Sequence, residues 1–163
     1  MSHPALNADE RTTLTTVLDA YRADVLGRLD RVSPAQAAAR PLPRTDMTIG
    51  GVVKHLAQME DLFFTHKLLG RELPAPWSAR PVPSSEEWAW RSAAADSPVA
   101  LRSLYAAACD RSRAAITSVE ALATRAELPT FGGQPVNLRW LLVHMISETA
   151  QHAGHLDVLM DAL

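Results

Sequence analysis

Apolar residues recur at spacings of three and four along four long stretches of the chain, and that period predicts four amphipathic helices. The first runs from about Asn7 or Asp9 to Arg31, with Leu14, Val17, Leu18, Tyr21, Val25, Leu26 and Leu29 on one face. Ser33-Pro34 reads as a capping residue followed by proline at the first helical position, opening a short helix through Arg40. Pro41 to Met47 is a proline-rich connection. Thr48 caps a second long helix carrying Ile49, Val52, Val53, Leu56, Met59, Leu62, Phe63 and Leu68, which Gly70 ends. The third opens at Ser97-Pro98 and continues to about Ala126, with Leu101, Leu104, Tyr105, Ala108, Cys109, Ala115, Ile116, Val119 and Leu122 as its apolar face. Asn137 caps the last helix, which reaches the end of the chain at Leu163.

Between Gly70 and Pro98 the period fails, because Pro74, Pro76, Pro81 and Pro83 interrupt any helix, leaving a long loop with a helical turn at Ser84 to Arg91. Trp77, Trp88 and Trp90 fall in this loop, where they either pack it onto the bundle or line a site. Pro129, Gly132, Gly133 and Pro135 predict a compact turn or small hairpin before the last helix. No stretch alternates with period two, so the expected fold is all-α, a four-helix bundle. Its long second connection removes the need for simple up-and-down topology.

A length of 163 residues suits a single domain spanning 1–163 with a substantial core. The net charge of −2, with Lys and Arg scattered singly, argues against a nucleic-acid partner. No apolar run is long enough to cross a bilayer, and the start M-S-H-P-A-L-N-A-D-E lacks the layout of a signal peptide. The lone cysteine, Cys109, permits no internal disulfide and reads as a small core residue. Together these features suggest a cytoplasmic protein.

The run from His144 to His155 reads H-M-I-S-E-T-A-Q-H-A-G-H. Four residues advance a helix by about 6 Å and roughly 40°, so His144, Glu148 and His152 share one stripe beside the buried face. Titratable groups there need a partner. A divalent metal held with an imidazole from a facing helix would supply one, and His55 is the histidine placed for it. His66 lies eleven residues further on, roughly 16 Å away, too far for the same ion. Spacing alone makes His144 with Glu148 as good a pair as Glu148 with His152, and His152 with His155 a poorer one. A metal-free network of hydrogen bonds around Glu148 accounts for the same residues equally well.

The helix E-T-A-Q-H-A-G-H, with His55 in V-K-H-L-A-Q-M-E after a T-I-G-G-V-V start, resembles the DinB-like superfamily of four-helix bundles, in particular its uncharacterised actinobacterial branch. The resemblance extends from the first helix to the last and takes in R-P-L-P, the tryptophan-bearing loop and F-G-G-Q-P-V-N-L-R-W. It implies a divalent metal held by a histidine of the second helix and two residues four apart on the last, here His55, Glu148 and His152. The superfamily commonly has H-x-x-x-H at that last-helix pair, so one histidine is replaced by glutamate. The His, Glu, His set also resembles that of mycothiol-dependent maleylpyruvate isomerase, a zinc-containing member. His144 and His155 are then left to orient ligands, face substrate or act as acid and base.

Two imidazoles and one carboxylate leave coordination positions open, as in catalytic sites. Zinc is the first expectation, with Ni, Fe(II) and Mn also compatible. The resemblance implies a low-molecular-weight thiol and a small electrophile as partners, in S-transfer or thiol-assisted isomerisation. Arg139 or Arg102 could bind an anionic group of the substrate. The rivals are a metal-dependent hydrolase or lyase, and a binding bundle without catalysis. An exposed helix face leaves room for a homodimer, by analogy only.

Overall fold

The computed structural model describes residues 6–79 and 84–163. Its principal helices are α1 (Glu10–Leu29), α2 (Pro34–Ala38), α3 (Ile49–Glu60), α4 (Ser84–Ser92), α5 (Pro98–Ser118) and α6 (Leu138–Asp161). A π-helical segment, Asp61–Leu68, continues α3, and short 3-10 turns lie at Trp77–Ala79, Ala93–Ala95 and Phe131–Gly133. Among the described residues there is no strand, only an isolated bridge between Arg125 and Asn137.

The helices begin where their capping side chains stand. Asp9, Thr48, Ser97 and Asn137 accept from Thr12, Gly51, Ala100 and Trp140 backbone N–H groups, respectively. Ser33 and Gln36 form a reciprocal capping box at α2.

Two long helices depart from the periodic expectation. The second leaves α geometry at Asp61, a fully buried carboxylate that accepts from Arg111 Nε at 2.7 Å and Nη2 at 2.8 Å, and from Trp77 Nε1 at 2.9 Å. The third stops at Ser118, eight residues before the expected Ala126. Arg11 of α1 donates to the carbonyls of Ile116, Val119 and Glu120 at 3.1, 2.9 and 2.8 Å, satisfying the helix end from outside. The backbone beyond then pairs with the lead-in to α6, Leu138 N–H donating to Thr124 O and Arg139 N–H to Leu122 O. Val119 and Leu122 still pack against the core, which is why their spacing imitates helix.

Interhelix contacts set the topology. Arg139 binds Glu10 and Arg28 binds Asp157, so α1 and α6 run parallel. Gly50 abuts Leu101 and Asp61 binds Arg111, so α3 and α5 also run parallel. Phe63 meets His144 while His55 meets His152, so α3 opposes α6. The bundle is therefore up-down-down-up, and the connection bearing Trp77, Trp88 and Trp90 carries the chain back to the end where α3 began.

The core is two apolar clusters. Val25, Leu29, Val52, Leu56, Tyr105 and Leu156 centre one; Leu18, Phe63, Phe64, Leu138 and Leu142 centre the other. Each such fully buried side chain contributes about 1.5–3 kcal/mol. Every long helix also contributes buried polar side chains, among them Arg22, Glu60, Ser112 and Thr149. Arg22 donates to both Glu60 oxygens, at 2.8 and 2.5 Å, and Ser112 Oγ to the Glu60 carbonyl at 3.3 Å.

Candidate metal centre

The site lies toward the end of the bundle where α3 begins. His55 projects from α3, and Glu148 and His152 from successive turns of α6. His55 Nε2 is 3.0 Å from Glu148 Oε1, and His152 Nε2 is 3.2 Å from the same oxygen. One potential ligand atom from each residue lies within 4.8 Å of the other two. Around a tetrahedral ion with bonds of about 2.0–2.1 Å, neighbouring ligand atoms stand about 3.3 Å apart. Both contacts are close to that edge, so this donor set fits a divalent ion. Hydrogen bonds from His152 and His55 hold the Glu148 carboxyl well below the usual carboxylate range, keeping it anionic.

The imidazoles are buried, and Glu148 is the most accessible member at 19 %. His55 Nδ1 is buried with no hydrogen-bond partner among the described residues. Packing holds the ring instead: Trp90 stacks on it with centroids 4.8 Å apart and planes at 21°. Trp90 also approaches His152, at 5.9 Å between centroids. A Cβ on Gly51 would stand 2.8 Å from Trp90 Cε3, and one on Gly50 3.1 Å from Leu101 Cδ1, so this glycine pair admits α4 and α5 against α3.

The remaining histidines separate by position. His155 Nδ1 lies 3.3 Å from His152 Nδ1, on the side of that ring away from Glu148, and can fix its tautomer. Burial lowers the pKa of His155, as does the neighbouring His152, against a raising effect of Glu148. His144 stacks on Trp140 at 5.1 Å and meets Phe63 edge-on at 4.7 Å; burial lowers its pKa, offset by the Glu148 charge. His66 is outside the site, its Nδ1 on the Arg71 carbonyl at 2.8 Å.

Both arginines singled out for an anionic substrate group are engaged in exposed ion pairs, and Arg139 is remote from the site. Arg139 binds Glu10 through Nε at 2.6 Å, and it lies thirteen residues, about 20 Å, before His152 along α6. Arg102 donates to both Asp30 oxygens at 2.6 Å. Cys109 is buried, and that burial pushes its thiol pKa far up, so it supplies no nucleophile.

The three tryptophans divide between packing and lining. Trp77 is fully buried on Asp61, and Trp88 meets it edge-on at 6.0 Å, with Lys54 Nζ 4.5 Å from the Trp88 ring centroid. Among the described residues, Trp90 is the tryptophan of this connection seen stacked on a site imidazole. A turn-forming sequence with three similar residues carries no periodic signal to separate them. Only the packing of α4 against Gly51 does.

The all-helical bundle with its His, Glu, His cluster defines a member of the DinB-like superfamily. Residues 13–163 match the Mycothiol-S-transferase family, and the chain belongs to it. Among solved structures, the mycothiol-dependent maleylpyruvate isomerase superposes with a TM-score of 0.66 at 18 % identity, covering 88 % of this chain and 59 % of that one. This chain thus spans less than two thirds of that protein. A histidine-to-alanine mutant of the same isomerase gives the same TM-score at 17 % identity and the same coverage. A conserved protein from Enterococcus faecalis matches over 95 % of this chain and 97 % of its own, with TM-score 0.65 and 16 % identity. These likenesses share the fold. No curated protein sequence matches the chain significantly.

Proposed function

We propose that this chain is a divalent-metal-dependent S-transferase that uses a low-molecular-weight thiol, mycothiol by family, on a small electrophile. The carrying observation is the meeting of His55 and His152 on one Glu148 oxygen, at 3.0 and 3.2 Å. His55, Glu148 and His152 would hold the ion, zinc in the first instance, with Ni, Fe(II) and Mn as compatible alternatives. When bound, such an ion lowers the pKa of a thiol at an open position, so that a nucleophile exists at neutral pH. The chain does the rest. Glu148 offsets the ion's charge, His155 sets the His152 ring, and Trp90 keeps water from the buried face of His55. The thiol must come from outside, because Cys109 is buried and protonated. A reduced thiol pool is a cytoplasmic resource, which agrees with the compartment expected from the sequence.

Elemental analysis of the purified chain, paired with melting curves, tests the metal. Zinc at about 100 times its Kd should stabilise the wild type by about 2.7 kcal/mol and leave His152→Ala unmoved. Consumption of thiol with monobromobimane or chlorodinitrobenzene then tests the reaction. A wild-type rate equal to that of metal-free His152→Ala excludes S-transfer to these electrophiles.

A further inference from the structure

His152 and His155 meet through like atoms, Nδ1 to Nδ1 at 3.3 Å. A neutral imidazole carries one N–H and one lone pair, so a hydrogen bond between these two nitrogens needs one ring protonated at Nδ1 and the other at Nε2. The far nitrogen of His152 decides which. It faces Glu148 Oε1 at 3.2 Å, and an ionised carboxylate only accepts. In the metal-free chain, neutral His152 therefore holds its proton at Nε2 and accepts at Nδ1. His155 then donates from Nδ1 and keeps a lone pair at its own Nε2.

Coordination through His152 Nε2 reverses this order. It uses the lone pair of that nitrogen, so the single proton of the ring stands at Nδ1 and is donated to His155. His155 Nδ1 becomes the acceptor, and the proton of His155 stands at Nε2. Neither ring changes its charge or its proton count. Each gives one proton to water from one nitrogen and takes one back at the other.

Two other imidazoles lack this linkage. His66 Nδ1 faces the Arg71 carbonyl at 2.8 Å, and a carbonyl only accepts, so the His66 proton is fixed. His55 Nδ1 is buried with no hydrogen-bond partner among the described residues, so a change at its Nε2 is passed to no other ring. His155 is partly exposed, and its Nε2 has no hydrogen-bond partner among the described residues.

We propose that His155 is a metal-gated hydrogen-bonding residue, its Nε2 an acceptor in the metal-free chain and a donor in the loaded one. Loading thereby places an N–H beside the centre where a lone pair stood. The inference rests on the reading of His55, Glu148 and His152 as metal ligands, and it is independent of the reaction.

The test is nuclear magnetic resonance of the full chain labelled with nitrogen-15 in histidine, at about pH 8, where an imidazole of ordinary pKa, about 6.5, is neutral. Ring-nitrogen chemical shifts tell a protonated nitrogen from an unprotonated one, and His155→Asn identifies the His155 pair. His155 should be protonated at Nδ1 before addition of zinc chloride and at Nε2 once the centre is filled. In a chelator competition, His155→Asn keeps an oxygen to accept from His152 Nδ1 and should hold zinc nearly as tightly as the wild type. His155→Phe offers no acceptor and should hold it about tenfold more weakly. If His55 and His152 respond to zinc while His155 keeps its proton on the same nitrogen, this inference falls and the metal centre stands. Wild-type affinity in His155→Phe likewise overturns it. If zinc moves none of the three rings, the metal centre falls and the inference falls with it.

Discussion

Gly51 and Trp90 meet so closely that a Cβ on the glycine would stand 2.8 Å from Trp90 Cε3. The glycine is therefore a seat for the indole, one turn of α3 before His55. Gly51→Ala should push the indole off the imidazole, lowering zinc affinity despite alanine's higher helix propensity. Gly27→Ala is the contrast. Nothing lies within 4 Å of its added Cβ, and it should stabilise α1 by about 0.5–1 kcal/mol in a urea titration.

Trp90→Ala removes the surface that orients His55, whose Nδ1 has no hydrogen bond to do so. Loss of a group that orients a ligand typically costs 10–100-fold in metal affinity, and an effect of about tenfold is expected. Competition against a chromophoric zinc chelator measures it. An unchanged affinity would show that the bundle alone sets the ring.

Arg22 and Glu60 form a doubly bonded ion pair, 2 % and 0 % exposed. Burial lowers the Arg22 pKa, but the Glu60 charge and hydrogen bonds raise it more, so the guanidinium stays charged. Arg22→Met strands a buried carboxylate and should cost about 3–5 kcal/mol, whereas Arg22→Met with Glu60→Leu should recover most of the loss. Chemical unfolding of the three proteins decides this. A double variant less stable than the single one would contradict it.

Asp19 gives a pH dependence with a definite sign. Burial raises its pKa, but hydrogen bonds from Arg113 and Arg22 outweigh that, so its carboxyl lies below the usual value. A depressed folded pKa stabilises fully above the unfolded value of about 3.9 and progressively less as pH falls through the folded one. Its side chain is 40 % exposed, so the contribution is screened to about 1 kcal/mol or less. The stability gap between wild type and Asp19→Asn should hold from pH 7 to about pH 5 and shrink as pH falls further toward about 3, read from urea midpoints.

Much of the fold is legible in the sequence because its helices are capped locally and packed on one face. Asp9, Ser33, Thr48, Ser97 and Asn137 act within four residues of themselves, and each starts a helix. The end of α5 is not legible, since it is set by Arg11, more than a hundred residues earlier. The π segment is not legible either; it begins at Asp61, which binds Trp77 and Arg111 from elsewhere in the chain. At the site, the four-residue spacing on α6 displays Glu148 and His152, and His55 stands out as a histidine in an apolar run. The resemblance, not spacing, separates Glu148–His152 from His144–Glu148. Trp90 escapes the pattern because it lies near the end of a short helix in the proline-interrupted connection, where no long period applies.

The imidazole from α3 and the carboxylate from α6 that touch at 3.0 Å stand 93 residues apart in the chain. Bringing them together closes more than half the polypeptide into a loop, an entropic cost that no fragment can meet with local structure. Ligand capture at that junction therefore belongs to the completed bundle. Spectroscopic metal uptake during refolding should lag behind helix formation, and its amplitude would count only those molecules whose last helix has docked.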